Sequence, residues 1–365
     1  MKNCNQKNTI KRVAIIGSQG VPPKYGGFET LVDNILAYAD HEHVRYTVLC
    51  SRPDMRTDLS SYRGARLRYI NLHAHGKSSV PYDIISMLKA TRGFDAILIL
   101  GVSGCVFLPM LKLMTRAKII VNIDGLEHRR DKWQPMAKRF LKLSLDTCIR
   151  WADIVISDNK GIQDFVKQEY GREAKLIAYG GDHALRDIDR HRQNAILDFY
   201  KLSAGQFDLS ICRIEPENNV ELTLRAYAAM PDNNIVIVGN WDHSDYSRDL
   251  YAQYEKFANI RLLESIYDAD ILYAIRNNAH RYVHGHRAGG TNPSLVEMMF
   301  FGKPILAFDV VYNRETTHGN AYYYCDEAGL KALLGRADLS GEAAADTART
   351  NYVWADIAHQ YEALF

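Results

Sequence analysis

Short runs dominated by apolar residues recur along the first half of the chain. They are Val13–Ile16, Tyr46–Cys50, Leu67–Ile70, Ala96–Leu100, Lys118–Ile123 and Ile154–Ser157. Runs of this length, bounded by turn residues, read as strands buried on both faces of a parallel sheet. Helical patterns separate most of them, the first from about Phe28 to Ala39. Strand and helix in alternation predict an α/β, doubly wound, Rossmann-like sheet. A second series with the same rhythm runs through Phe207–Cys212, Ile235–Val238, Ile260–Leu263, Ala279–Val283 and Pro304–Phe308. At the end, Tyr352, Val353, Trp354, Ile357, Ala358, Tyr361, Leu364 and Phe365 fall at helical spacing and predict a packing helix.

Length supports the division. A chain of 365 residues is long for one core. The expected organisation is an N-terminal Rossmann-like domain over 1–185, a polar hinge over 186–205, and a C-terminal Rossmann-like domain over 206–345. A final helical segment, 346–365, is free to cross back to the first domain. Two such domains facing across a cleft would hold a ligand that bridges them.

Composition narrows the classes. Apolar content of 47% and charged content of 24% are ordinary globular values. A net charge of +2 gives no general case for nucleic acid. The six cysteines are scattered without a C-x-x-C pair. That fits a reducing compartment and argues against a disulfide framework or a cysteine zinc site. The start, MKNCNQKNTIKR, is polar and lacks the apolar core of a signal peptide. The longest uncharged run, Ala96–Leu111, is short for a membrane span and is broken by Gly101, Gly104 and Pro109.

Polar groups collect where the predicted strands end, which is where parallel sheets bind ligands. After Val13–Ile16 comes GSQGVPPKYGGFET (17–30), a long loop with four glycines and two prolines. Its spacing is not G-x-G-x-x-G, which disfavours an NAD-dependent oxidoreductase. After Ala96–Leu100 comes Gly101-Val-Ser103-Gly104. After Lys118–Ile123 come Asp124 and Glu127, two acids three apart in a turn. They suit a hydroxyl-facing pair, with helix capping as the packing explanation for one of them.

In the second half, Arg213 directly follows an apolar strand, where a guanidinium can clamp a phosphate. Pairing with Glu215 or Glu217 is its structural alternative. The stretch HGHRAGGTNPSLVEMMFFGKP (284–304) reads as a glycine-opened loop running into a buried helix. Asn292 is its N-cap, Pro293 its first residue and Gly302 its stop. Exposed N–H groups at such a start make an anion site. Glu297 is a lone acid inside an apolar helix and needs a polar partner.

From Lys112 to Arg150 there are ten Lys or Arg against four acids, interleaved with Trp133, Met136, Phe140, Leu143 and Trp151. Residues 128–150 therefore suit either an amphipathic helix on an anionic membrane surface or a helix with its apolar face in the core.

Together these motifs resemble the GT-B retaining glycosyltransferases of family GT4. GSQGVPPKYGGFET, NIDGLEHRRDKW (122–133), CRIEPENN (212–219) and HGHRAGGTNPSLVE are similar to its rhamnosyltransferase-type branch. The resemblance spans nearly the whole chain. It implies a GT-B fold, an acceptor-binding first domain and a donor-binding second domain. Catalytic roles would fall to Asp124, Glu127 and Arg213. Donor contacts would come from Gly26, Gly27, Asn218, Gly290, Thr291, Asn292, Pro293, Ser294 and Glu297. Tyr25, Phe28, Glu29 and Ser103 would lie on the acceptor side.

Glu297 matches the second, ribose-holding glutamate of the family's E-x7-E signature. Gly289 stands where the first is expected, and Asn218 where the broader family often has lysine. The implied donor is dTDP-rhamnose and the implied acceptor a lipid-linked saccharide in surface polysaccharide assembly, with a UDP-hexose donor as the alternative. No cofactor and no metal are expected, since Arg213 and the N–H groups at Thr291–Ser294 would stabilise the leaving diphosphate without a metal. The expected place is the cytoplasm, peripheral at the inner face of the cell membrane. A non-catalytic sugar-nucleotide or glycan-binding protein remains the rival from another class.

Overall fold

The computed structural model describes residues 10–23, 26–129 and 133–365. They form two compact units. The first runs to Ala178 and takes in Trp354–Phe365; the second is Tyr179–Val353.

The first unit is built on eight strands: β1 (Lys11–Ile16), β2 (Val44–Ser51), β3 (Ser61–Tyr62), β4 (Ala65–Ile70), β5 (Ala96–Leu100), β6 (Lys118–Asn122), β7 (Ile154–Ser157) and β8 (Lys175–Leu176). Their order is β3-β4-β2-β1-β5-β6-β7-β8. Only β3 runs antiparallel, against β4. Val13 to Ile16 are fully buried and β5 is buried along its length, as expected of central strands covered on both faces. The helix Trp354–Glu362 packs on the helix Gly27–Ala37. Asn122 Nδ2 donates to Tyr361 Oη at 2.7 Å, and Glu362 accepts from Tyr46 Oη at 3.1 Å.

The second unit carries six parallel strands: β9 (Asp208–Ile211), β10 (Ile235–Val238), β11 (Ile260–Leu263), β12 (Tyr282–His284), β13 (Ile305–Phe308) and β14 (Tyr322–Tyr324). Their order is β11-β10-β9-β12-β13-β14. At the amino end of this sheet Arg281 makes a two-pronged pair with Asp208, at 2.9 and 2.8 Å, which Tyr227 Oη completes at 2.5 Å. A cavity of about 490 Å³ opens beside that pair. It is lined by structural groups and lies at the end of the sheet away from the ligand-binding edge.

Three boundaries differ from the sequence reading, the first because the first unit ends at Ala178 and not at 185. The segment 186–205 holds the helix Arg190–Phe199, which packs on the helix Ala269–Asn278, with Gln193 Oε1 accepting from Asn277 and Asn278. It is part of the second unit. The segment 346–365 divides: the end of the helix Glu342–Asn351 lies in the second unit, and Trp354–Phe365, with the helix Trp354–Glu362, lies in the first.

Candidate active site

In the second unit, β9 and β12 are neighbours, and the loops that leave them are stitched together. Asn218 Nδ2 donates to the Arg213 carbonyl at 2.7 Å, and its Oδ1 meets His286 Nδ1 at 2.6 Å. Asn219 Nδ2 donates to the Gly285 carbonyl, and Arg287 N–H to the Glu217 carbonyl. A Cβ at Gly285 would lie 2.2 Å from the Asn218 oxygen, so a larger residue there would part the loops. Asn218 is buried and its side chain braces this junction. Arg213 stands on the rim, exposed, 3.8 Å from Glu215 and 3.9 Å from Glu217. Neither contact is within hydrogen-bond distance.

The helix Pro293–Met299 starts as the sequence suggests, with Asn292 Oδ1 accepting from Ser294 N–H at 3.0 Å. That bond narrows the expected anion cradle. Pro293 has no N–H and Ser294's is taken, so the candidate stretch is the backbone from Gly290 to Asn292. Gly289 has φ +112, a conformation L side chains rarely adopt. A Cβ there would lie 3.2 Å from His286 Nε2. The glutamate expected at this position in the wider pattern is thus unsuited to the loop as folded.

Glu297 has two partners that the sequence reading missed. Arg276, buried in the helix Ala269–Asn278, donates from Nη2 to Oε2, and His183 Nε2 lies 3.3 Å from Oε1. Burial pushes the Glu297 carboxyl up, but the Arg276 charge and then His183 outweigh it, and the group sits below its ordinary value. Its side chain keeps 13% exposure. The clue in the sequence was Arg276 itself, a cation among the apolar residues of LYAIRNN. His183 carried no clue, because its contact is set by tertiary packing. On β12, His284 is buried beside His286, and its Nε2 has no hydrogen-bond partner among the described residues.

In the first unit, the loop after β1 folds over the end of β5. A Cβ at Gly17 would lie 2.1 Å from the Leu100 carbonyl oxygen. Glu29, in the first turn of the helix Gly27–Ala37, turns back so that Oε1 accepts from Gln19 N–H at 2.7 Å. A Cβ at Gly26 would lie 2.0 Å from Glu29 Oε2, and a side chain at that position would displace the carboxylate. Burial raises the Glu29 carboxyl above its ordinary value, and the Gln19 bond only partly offsets this. Glu29 therefore pins the loop. Phe28 lies over Gly101, 3.4 Å from where a Cβ would be, which brings it beside the loop that carries Ser103. Ser144 Oγ donates to the Val102 carbonyl of that loop.

Asp124 has φ +53 and closes the turn after β6, its N–H donating to Asn122 Oδ1 at 2.9 Å. Glu127 opens a helical turn and accepts from Trp133 Nε1 at 3.0 Å. Gly27 is the first residue of its helix. Tyr25 lies outside the described residues. The predicted residues thus fall into two groups, one on each unit, both at the carboxyl ends of parallel strands.

Residues 10–182 match the family described as Domain of unknown function (DUF1972), and residues 205–328 match Glycosyl transferases group 1. No curated protein matches the chain. Among solved structures, Anabaena HepE in complex with UDP and glucose aligns with TM-score 0.76 at 15% identity, covering 97% of this chain and 99% of that one. Sucrose-phosphate synthase from Thermosynechococcus elongatus aligns at 0.75 and 16%, covering 97% and 98%. The catalytic domain of starch synthase IV from Arabidopsis thaliana, bound to ADP and acarbose, aligns at 0.73 and 13%, covering 98% of each. These likenesses define the fold as GT-B, two Rossmann-like domains. With the group 1 domain forming most of the second unit, the chain is an enzyme of the glycosyltransferase class.

Proposed function

We propose that this glycosyltransferase moves rhamnose from dTDP-rhamnose to a lipid-linked saccharide, with retention, in surface polysaccharide assembly. The observation that carries the donor site is Glu297, kept charged inside an apolar helix by Arg276 and His183 while its rim stays open. In this reading Glu297 takes a ribose hydroxyl. Arg213 and the backbone of Gly290–Asn292 take the diphosphate, whose growing negative charge must be stabilised as the sugar leaves. Gly26 and Gly27 let the first loop approach the donor. The leaving phosphate accepts the acceptor's proton on the same face. Asp124 and Glu127 orient acceptor hydroxyls or stabilise the cationic sugar. Phe28 and Ser103 line the acceptor side.

The test is release of nucleoside diphosphate from donor plus acceptor. Glu297→Ala should raise the donor KM, and Arg213→Ala should lower kcat by about 100-fold or more, the loss seen on removing one charge-stabilising donor elsewhere. Full activity of Arg213→Ala would sink the phosphate assignment. No turnover with any donor would favour the binding-protein reading.

A UDP-hexose donor is the second reading. It is favoured by the UDP and UDP-glucose complexes of HepE, which shares this fold.

The membrane partner is proposed on one helix. No helix among the described residues is long and apolar enough to cross a membrane. On Pro135–Trp151, however, Met136, Arg139, Leu143, Arg150 and Trp151 share one exposed face. Leu113 and Met110 are exposed on the helix Leu108–Met114, which packs against Pro135–Trp151. Of the basic stretch 128–150, residues 130–132 lie outside the described residues.

A further inference from the structure

The loops that follow β2 and β4 bring two imidazoles against one carboxylate. These strands are hydrogen-bonded neighbours, with Ser51 in register with Ile70, so the chain leaves both at one sheet edge. After β2 it enters the short helix Arg52–Met55, which carries Asp54. Ser51 Oγ donates to Asp54 Oδ2 at 2.7 Å, and Ala74 N–H donates to the same oxygen at 2.8 Å. The carboxylate is fixed and nearly buried. After β4 come His73 and His75, two apart, with His75 in extended backbone, so that both rings can lie on one side. Their Nδ1 atoms lie 2.5 and 3.4 Å from Asp54 Oδ1 and Oδ2. The ring centroids are 5.3 Å apart, and both rings are more than half exposed.

We infer that Asp54, His73 and His75 bind one divalent transition-metal ion of the zinc type. A hydrogen bond explains His73. It does not explain His75, which sits at long range from an oxygen already accepting from Ser51 and Ala74. A cation among the three satisfies both rings. The three ligand atoms lie within 4.8 Å of one another. A tetrahedral set with bonds of about 2.0–2.2 Å has ligand atoms roughly 3.4 Å apart, so ring rotations of about 1 Å close the site. Ser51 and Ala74 hold the carboxylate as outer-shell donors hold ligating carboxylates in metal sites. Two nitrogens and one oxygen suit Zn²⁺, Ni²⁺ or Cu²⁺, whereas Mg²⁺ and Ca²⁺ take oxygen sets.

β2 and β4 lie on one side of β1, and β6, which leads to Asp124, lies on the other. The ion is therefore assigned a clip between two loops, with no part in sugar transfer. Three protein ligands leave its remaining position to solvent.

Full-length protein is stripped with a chelator, then titrated with Zn²⁺ by calorimetry and with Co²⁺ by visible absorption. One equivalent should bind, with ligand-field bands for Co²⁺ and a raised thermal midpoint. The exposed pair His73→Ala/His75→Ala should leave the metal-free melt unchanged and weaken Zn²⁺ binding by at least about 100-fold. Asp54→Asn should weaken it as well. Equal affinity in wild type and the double variant would place the metal on other histidines and overturn the assignment. So would a wild type with no saturable binding, or one that binds Mg²⁺ equally well.

Discussion

Arg276→Ala leaves the Glu297 carboxylate without its guanidinium in a nearly dry place. Breaking such a pair from one side costs about 3–5 kcal/mol. Thermal and urea melts should show a loss of that order, and a loss below about 1 kcal/mol would mean that the pair is well hydrated. Glu297→Gln keeps an acceptor for Arg276 and should cost less. Since the Glu297 carboxyl sits below its ordinary value, its contribution is present above the unfolded value of about 4.3 and is lost as pH falls through the folded one. The gap between wild type and Glu297→Gln should therefore close in acid.

Asp83 has the opposite sign. Burial pushes its carboxyl up to about 7, and the Gly104 N–H at 3.1 Å does not offset that. The unfolded chain then binds fewer protons between about pH 4 and 7, so this group makes stability fall as pH rises through that window. Asp83→Asn keeps an acceptor for Gly104 and should remove this slope. An unchanged slope would show that Asp83 ionises as it does in water. Asp83 was invisible in the sequence, one acid on a helix, and only the Gly104 contact singles it out. Glu297 was legible, because an acid in LVEMMFF has no apolar explanation. Its partners were not, since Arg276 and His183 lie 21 and 114 residues away along the chain.

The helices show where pattern reading works and where it stops. Pro293–Met299 begins at its predicted cap because Asn292 and Pro293 act locally. The segment 186–205 read as a hinge because it is rich in charged and polar residues. Arg190–Phe199 buries only Leu197 fully and fixes its place by polar bonds to Asn277 and Asn278, which periodicity does not record. Strands β3 and β8, two residues each at the sheet edges, are too short for alternation to mark. On Pro135–Trp151 the pattern left two readings open; one face is in the core, and the opposite face carries exposed apolar and basic residues. Leu141, Leu145, Cys148 and Ile149 are buried, while Met136 is 83% exposed and Leu143 58%. Lys142 pairs with Asp146 at 2.5 Å, so its charge is partly spent. The membrane reading therefore rests on Met136, Leu143, Arg139 and Arg150. Anionic vesicles should pellet the protein. Arg139→Gln/Arg150→Gln should weaken vesicle binding by about 30-fold, at roughly 1 kcal/mol for each of the two charges lost. Met136→Ser/Leu143→Ser should reduce it at any salt concentration. Equal pelleting of all variants would rule out this helix as the contact.

At the scale of the whole molecule, the two units carry different parts of the reading, and a ligand panel can separate them. The donor should act on the second unit, where Glu297, Arg276 and the Gly290–Asn292 backbone lie. A nucleotide at about 100 times its dissociation constant should add about 2.7 kcal/mol to the stability of the state that binds it. dTDP and UDP differ in the base methyl group and in the ribose 2′-hydroxyl. If Glu297 uses only the 3′-hydroxyl, dTDP should stabilise the wild type at least as well as UDP. If it uses both hydroxyls, UDP should win, and Glu297→Ala should remove that advantage while sparing the diphosphate contribution. Greater protection by dTDP supports the rhamnosyl donor, and greater protection by UDP moves the reading to a UDP-hexose. Protection by neither would remove the donor site from this unit. The same panel in the presence of Zn²⁺ should leave the nucleotide order unchanged, because Asp54, His73 and His75 belong to the other unit.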